Sequence, residues 1–353
     1  MKHIHVRARA AGLIRQAMLA PLLAVAVVSL AAAQEPLTLD NYGRRVHGVA
    51  FSPDGKQLAT AAPIPGILVW NVATAKIVKV LPLTTSRCAY AVSYSPDGKL
   101  LVAGLDRAMN VWQTDDWKEV WTLGQMPVTA EATSGVVHKL VFSTNGDRMV
   151  NGFTESTKTG GRVVGVRVWD VENRKEYPSV SQPNQGNVVA LTLAPDDNTA
   201  VTGDGEGKII VWDLKEQKKK LDWAAHKPTT REYCLNDMAF SPNGKVLATV
   251  GMTPTVAFWD PTNGKQLSTL PTNIKVVRCV RYSPNGKLLA VGGDSNELEL
   301  WDLASGKLKA TLKGHTDKVL CVAFSRDGKR LATGSWDATA KLWDVEKCLT
   351  ERK

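Results

Sequence analysis

Gly314-His315, Val319-Leu320-Cys321-Val322-Ala323-Phe324-Ser325, Asp327-Gly328-Lys329, Leu331-Ala332-Thr333-Gly334-Ser335, Asp337 and Lys341-Leu342-Trp343-Asp344 follow one another within a single stretch of the chain. Two apolar, β-rich runs flank an Asp-Gly turn, and a third follows a turn built on Asp337. That pattern predicts three short antiparallel strands. It recurs along the chain. Trp70, Trp112, Trp169, Trp212, Trp259, Trp301 and Trp343 each close a repeat, and Phe51, Tyr94, Phe142, Leu193, Phe240, Tyr282 and Phe324 each precede its first turn. The separations are 19, 18, 27, 19, 19, 19 and 19 residues, a regularity that composition does not produce. Six of the seven turns carry Asp-Gly or Asn-Gly, which supply the positive φ of a hairpin. The fourth has Asp196-Asp197-Asn198, which tolerates the same conformation.

With Gly314-His315 at its start and Trp343-Asp344 at its end, the unit resembles a WD repeat, the building block of a four-stranded propeller blade. The resemblance covers about nine tenths of the chain. It implies an all-β fold, a seven-bladed β-propeller of four-stranded antiparallel blades over residues 34–353. The ends are expected to be joined. Thr38-Leu39 stands 12 residues before Phe51, as Thr311-Leu312 stands 12 before Phe324, so Pro36–Leu39 is read as the outermost strand of the seventh blade. Nine residues follow Asp344, too few for that strand and its turn. A closing N-terminal strand removes an exposed edge.

Two residues before each blade aromatic stand Val49, Val92, Leu140, Leu191, Met238, Val280 and Val322, all apolar. With the aromatics they alternate onto one face of each innermost strand, and with the seven tryptophans they form the expected core. The resemblance further implies a hydrogen-bonded chain of His315, Thr333, Asp337 and Trp343, since a buried indole N–H and imidazole need partners. Only the seventh blade carries the full set. Blade two has Ala103 at the Thr position, blade four has Glu206 for the Asp, and the remaining blades are expected to rely on packing alone. The His-Thr-Asp set is read as structural rather than as a catalytic triad.

Residues 1–33 carry Lys2, Arg7, Arg9 and Arg15 without an acid, then an apolar run from Met18 that ends Ala31-Ala32-Ala33. This order reads as a secretory signal peptide cleaved before Gln34. It implies a secreted, bacterial-type protein in an extracytoplasmic compartment, periplasmic or fully secreted, with no stable membrane insertion afterwards. Cleavage would lower the net charge from +10 to +6, because four basic residues and no acid leave. Lys218-Lys219-Lys220 falls where an outer strand begins. It reads as a solvated edge rather than a nucleic-acid patch, so no nucleic-acid partner is expected. Cys279 and Cys321 occupy a small-residue position three before the aromatic, and both are expected to be free, buried thiols. Cys88, Cys234 and Cys348 have no pairing legible in the sequence.

Three insertions lengthen the repeats, at about 124–134, 154–165 and 227–233, and all three are expected as loops on one face of the ring. Long loops on a rigid scaffold carry function. By resemblance to the beta subunit of heterotrimeric G proteins, positions six and four before each aromatic, and those beside the turn Asp, line the partner-facing rim. Here these include Arg45, His47, Tyr90, Leu105, Arg107, His138, Asn187, Asn236, Arg278, Lys318 and Trp336. Gly203–Lys208 resembles a nucleotide loop, but no helix follows it. No metal-ligand or nucleophile spacing appears, so no cofactor and no metal are expected. The functional expectation is a monomeric, non-enzymatic scaffold that presents this face to a protein or peptide partner. A propeller enzyme or oxidoreductase with a channel site, and a glycan or cell-envelope binder, are the alternatives.

Overall fold

In the computed structural model the described residues are 35–41, 43–63, 66–83, 88–106, 108–123, 137–156, 161–184, 186–226 and 234–350. The segment 1–33, read above as a signal peptide, lies outside them.

Each repeat becomes one antiparallel sheet, and seven such sheets form a β-propeller. Blade six shows the plan: Val277–Tyr282 innermost, then Leu288–Gly293, Leu298–Asp302 and Lys307–Leu312 outermost. The hairpins turn where the sequence placed Gly or Asp. Gly55, Gly98, Gly146, Gly244, Gly286 and Gly328 have φ of 69–79°, and in the fourth turn Asp197 takes φ 54°. The serine after the aromatic fixes the same turn. Ser283 Oγ donates to Asn285 Oδ1 at 2.8 Å and accepts from the Leu288 N–H at 2.9 Å.

The seventh blade is completed from the other end of the described chain. Leu37–Asp40 pairs with Thr339–Asp344, with Leu39 opposite Ala340 and Thr38 opposite Lys341. This is the register in which Leu312 faces Leu298 and Thr311 faces Glu299 in blade six. The strand starts at Leu37, one residue later than expected. Leu39 is 1% exposed, and Lys341 Nζ donates to Thr38 Oγ1 at 2.8 Å.

All seven repeat tryptophans are buried. The expected core is correct for them and for six of the seven residues two before the aromatic, Leu140 being half-buried. Of the aromatics, Phe51, Leu193, Tyr282 and Phe324 are only half-buried. Innermost strands border the central channel, so the deepest side chains sit on the middle strands instead, among them Leu58, Ile67, Leu101, Ile209 and Ile210. They pack between neighbouring blades: Ile67 and Val69 of blade one share a cluster with Val92, Leu101 and Trp112 of blade two.

Blades other than the seventh do not rely on packing alone. The indole N–H of Trp70 donates to Thr60, Trp212 to Thr202 and Trp259 to Thr249, at 3.1, 2.8 and 2.9 Å. Trp169 donates to Asn151 Oδ1 and Trp301 to Glu299 Oε2. The chains extend further. Asn41 Oδ1 accepts from Thr60, His226 Nε2 meets Thr249 Oγ1 at 3.0 Å, and Asn273 Nδ2 donates to Glu299. A buried indole N–H left without an acceptor costs free energy, and Thr, Asn or Glu can serve equally. Asn273 stands nine residues before Tyr282, as His315 does before Phe324, so this substitution was open to view in the sequence.

The insertion at 154–165 is not a loop. Arg148–Ser156 and Arg162–Asp170 are nine-residue strands paired throughout, and Thr154 and Glu155 lie opposite Val164 and Val163. The outer strand of this blade is interrupted, Lys175–Glu176 and Val180–Asn184 both pairing with Arg162–Asp170. Valine at 163, 164, 166 and 168 favours the extended hairpin over a loop. The other two expected loops, 124–134 and 227–233, lie outside the described residues.

Candidate functional site at the channel mouth

The innermost strands of blades two, four, five, six and seven share a local irregularity. Their pairing skips one residue between Ala89 and Ala91, Val188 and Ala190, Leu235 and Asp237, Val277 and Cys279, and Val319 and Cys321. The skipped residues are Tyr90, Val189, Asn236, Arg278 and Leu320, each four before its blade aromatic. A bulge leaves the extra residue unpaired and re-aims its side chain. In blades one and three the equivalent residues, His47 and His138, stand just before the strand. All seven converge on one cavity of about 220 Å³, which Lys139 and Trp336 complete.

One side of this mouth is an aromatic arc. His47 and Tyr90 have ring centroids 5.5 Å apart, and Tyr90 and His138 5.4 Å. The two histidines belong to non-adjacent blades, and Tyr90 of the blade between them bridges the gap. Burial and Arg45 lower the pKa of His47, while burial, with Lys139 and His47, lowers that of His138 to about 4. Burial pushes the Tyr90 hydroxyl up, and its hydrogen bond to Asp106 adds to the shift.

The other side is cationic. Arg278 donates through Nε and Nη2 to Asp294, the second bond at 3.1 Å, and Lys318 Nζ lies 3.3 Å from the same carboxylate. Trp336 is flanked by two cations, the Arg45 guanidinium 3.7 Å and Lys318 Nζ 4.8 Å from its ring centroid. Asn236 Nδ2 donates to the Val277 carbonyl at 2.8 Å and ties blade five to blade six. Just below the mouth, Lys139 Nζ and Arg281 Nη1 approach Asp237 at 3.1 and 2.7 Å, from blades three and six onto blade five. Burial alone would raise the pKa of Asp237, but Arg281 and Lys139 outweigh it and hold the carboxyl below its usual range.

Of the rim residues expected from sequence, His47, Tyr90, His138, Asn236, Arg278 and Trp336 line the cavity, and Arg45 and Lys318 border it through Trp336. Leu105 does not belong there. It is fully buried, because it ends the strand Leu100–Leu105 opposite Ala89 and packs into the core between blades one and two. Asn187 is half-buried at the entrance of its strand and is not among the lining residues. Arg107 lies outside the described residues. Sequence reasoning left out Lys139, Val189 and Leu320. The last two sit at the same position as the others, and only their apolar character hid them.

His315, Thr333, Asp337 and Trp343 form one bonded chain within blade seven. His315 Nδ1 meets Asp337 Oδ2 at 2.7 Å, His315 Nε2 meets Thr333 Oγ1 at 2.7 Å, and Trp343 Nε1 donates to Thr333 at 3.0 Å. The His315 side chain is 1% exposed. Cys279 and Cys321 are free and buried, and burial pushes the Cys321 thiol up to about 12. Each lysine of 218–220 has a carboxylate within 4 Å: Glu216, Asp222 and Asp213 in turn.

The family model for the WD domain, G-beta repeat, matches residues 76–113, 178–213, 219–260, 264–302 and 306–344. Similar proteins include Transcription factor unc-37 of Caenorhabditis elegans, 30% identical over 64% of this chain and 33% of its own length. Periodic tryptophan protein 2 of Arabidopsis thaliana is 27% identical over 48% of this chain and 17% of its own. Telomerase Cajal body protein 1 of Mus musculus is 22% identical over 59% and 38%. The chain thus spans well under half the length of these relatives. They are eukaryotic nuclear or cytoplasmic proteins, which overturns the expected secreted, extracytoplasmic location. That expectation rested on a basic-then-apolar order at residues 1–33, a pattern of composition alone, whereas the similarity rests on the folded repeats.

Proposed function

The chain belongs to the WD-repeat family, and on that premise we propose that it is a non-enzymatic interaction scaffold whose channel-mouth face receives a protein or peptide partner. The observation that carries this reading is the convergence of seven equivalent residues, one per blade, on a single cavity. Bulges are designed features that turn side chains toward a site. The mouth combines Tyr90, Trp336 and Arg278, the residue types in which binding energy concentrates. The extended hairpin of blade three and the two long connections open on this same side by strand order. The opposite face offers short hairpins such as those at Asn263 and Ser305, whose side chains serve their own turns through Asp260 and Asp302.

Affinity capture on the immobilised full chain, followed by calorimetry with the recovered partner, tests the reading. Tyr90→Ala, Arg278→Ala and Trp336→Ala are each expected to weaken binding by tenfold or more, on the order of 2 kcal/mol. Asn263→Ala and Ser305→Ala should leave it unchanged. Loss of affinity from the second pair alone would move the binding face to the other side of the ring.

A further inference from the structure

The mouth cavity presents charge of one sign. Among its described lining residues the formal charges are Lys139 and Arg278, with no carboxylate. The carboxylates nearby stand behind the groups they serve. The Asp237 side chain is 1% exposed against 25% for Lys139, and Asp294 is 19% exposed against 26% for Arg278. Asp106 bonds the Tyr90 hydroxyl. Lys139 and Arg281 share Asp237, and Arg278 and Lys318 share Asp294, so each cluster keeps one uncompensated positive charge. Both histidines of the aromatic arc are neutral near pH 7, since burial lowers them, and they add no competing charge. An excess cation in a confined, partly apolar cavity is poorly solvated, and a counter-charge brought by a ligand relieves that cost.

Resting on the binding-face reading above, we propose that the mouth cavity takes the side-chain carboxylate of an aspartate or glutamate in an extended segment of the partner. Lys139 and Arg278 neutralise it, and the flanking backbone of the segment lies against Trp336 and Tyr90. The volume of about 220 Å³ suits one inserted side chain rather than a folded element. A carboxylate fits better than a phosphate. Phosphate recognition depends on free bidentate guanidinium forks. The Nε–Nη2 edge of Arg278 is already engaged by Asp294, and Lys139 is shared with Asp237.

A randomised twelve-residue peptide library displayed on phage, selected against the immobilised full chain, provides the test. Selected peptides should share Asp or Glu at one position. Replacing it by Gln in the synthetic peptide should weaken binding about tenfold or more. Arg278→Gln should remove that preference, while Arg278→Lys keeps most of it. The variant should fold, because Asp294 retains Lys318, and an unchanged melting temperature checks this. Peptides that bind and depend on Trp336 and Tyr90 but show no acidic preference would overturn this proposal and leave the binding face standing. Peptides insensitive to Trp336→Ala and Tyr90→Ala would overturn both. A phosphoserine counterpart binding more than tenfold tighter than the Glu peptide would make the site a phosphate site and refute the carboxylate assignment. A library that yields no binders also counts against it, since such a cavity is open to short flexible segments.

Discussion

At the residue scale, the tryptophans show how burial and hydrogen bonding divide the work. Trp343 is 6% exposed and bonded to Thr333, which also bonds His315. Trp117 is half-buried with φ 60° in a turn, and Trp121 is half-buried on the outer strand Glu119–Leu123. Trp343→Ala is expected to cost on the order of 3–5 kcal/mol, and Trp117→Ala and Trp121→Ala distinctly less. Denaturant midpoints for the three variants decide the order. His226 gives a prediction with a sign. Burial lowers its pKa from 6.5 to about 4 in the folded chain. Between those values the unfolded chain binds more protons, so stability is full above pH 6.5 and falls as pH drops toward 4. Its share of the slope is at most about 1.4 kcal/mol per pH unit. His226→Gln should flatten the fall of melting temperature across that window. An unchanged profile would mean that other groups account for it.

At the element scale, the closing strand Leu37–Asp40 is the most consequential. It covers the edge of Thr339–Asp344 and buries Leu39 among Leu58, Leu68, Ala340 and Leu342, which belong to blades one and seven. Leu39→Ala should therefore cost roughly 2–5 kcal/mol, as for other fully buried leucines. A chain lacking residues 1–40 should melt at a lower temperature in a single transition rather than lose one blade while the rest persists, and calorimetry of both variants distinguishes these outcomes. This strand's register was legible because a 12-residue offset recurs in three connections. The blade-three hairpin was not. A spacing of 27 residues reports added length, and only pairing with a neighbouring strand shows whether the addition is strand or loop.

At the scale of the whole molecule, the channel couples blades distant in sequence. Lys139, Asp237 and Arg281 join blades three, five and six through one carboxylate that is 1% exposed. Asp237→Asn would leave two cations facing each other in the channel. The expected loss is about 3 kcal/mol, the low end for a broken buried pair because both cations keep some solvent. It should also raise the affinity of the mouth for acidic peptides, since the excess positive charge grows. Urea unfolding and peptide binding on the same variant measure the two effects.

The sequence by itself determined the repeat, its sevenfold count, the turns, the tryptophan positions and the partner of the closing strand. Each follows from short-range chemistry repeated at fixed spacing: alternation for strands, Gly or Asp for positive φ, a large apolar residue at each blade's close. Even the residues of the mouth stood at one common offset from the blade aromatics. Only the tertiary structure decided that this offset is a bulge, that Leu105 turns inward while Lys139 turns into the channel, and which acceptor satisfies each indole. Those outcomes depend on what a neighbouring blade brings within a few ångströms. A side chain's exposure, charge partner and hydrogen-bond acceptor are properties of the closed ring, and residues some hundred positions apart, such as Lys139 and Asp237, meet only once the ring has closed.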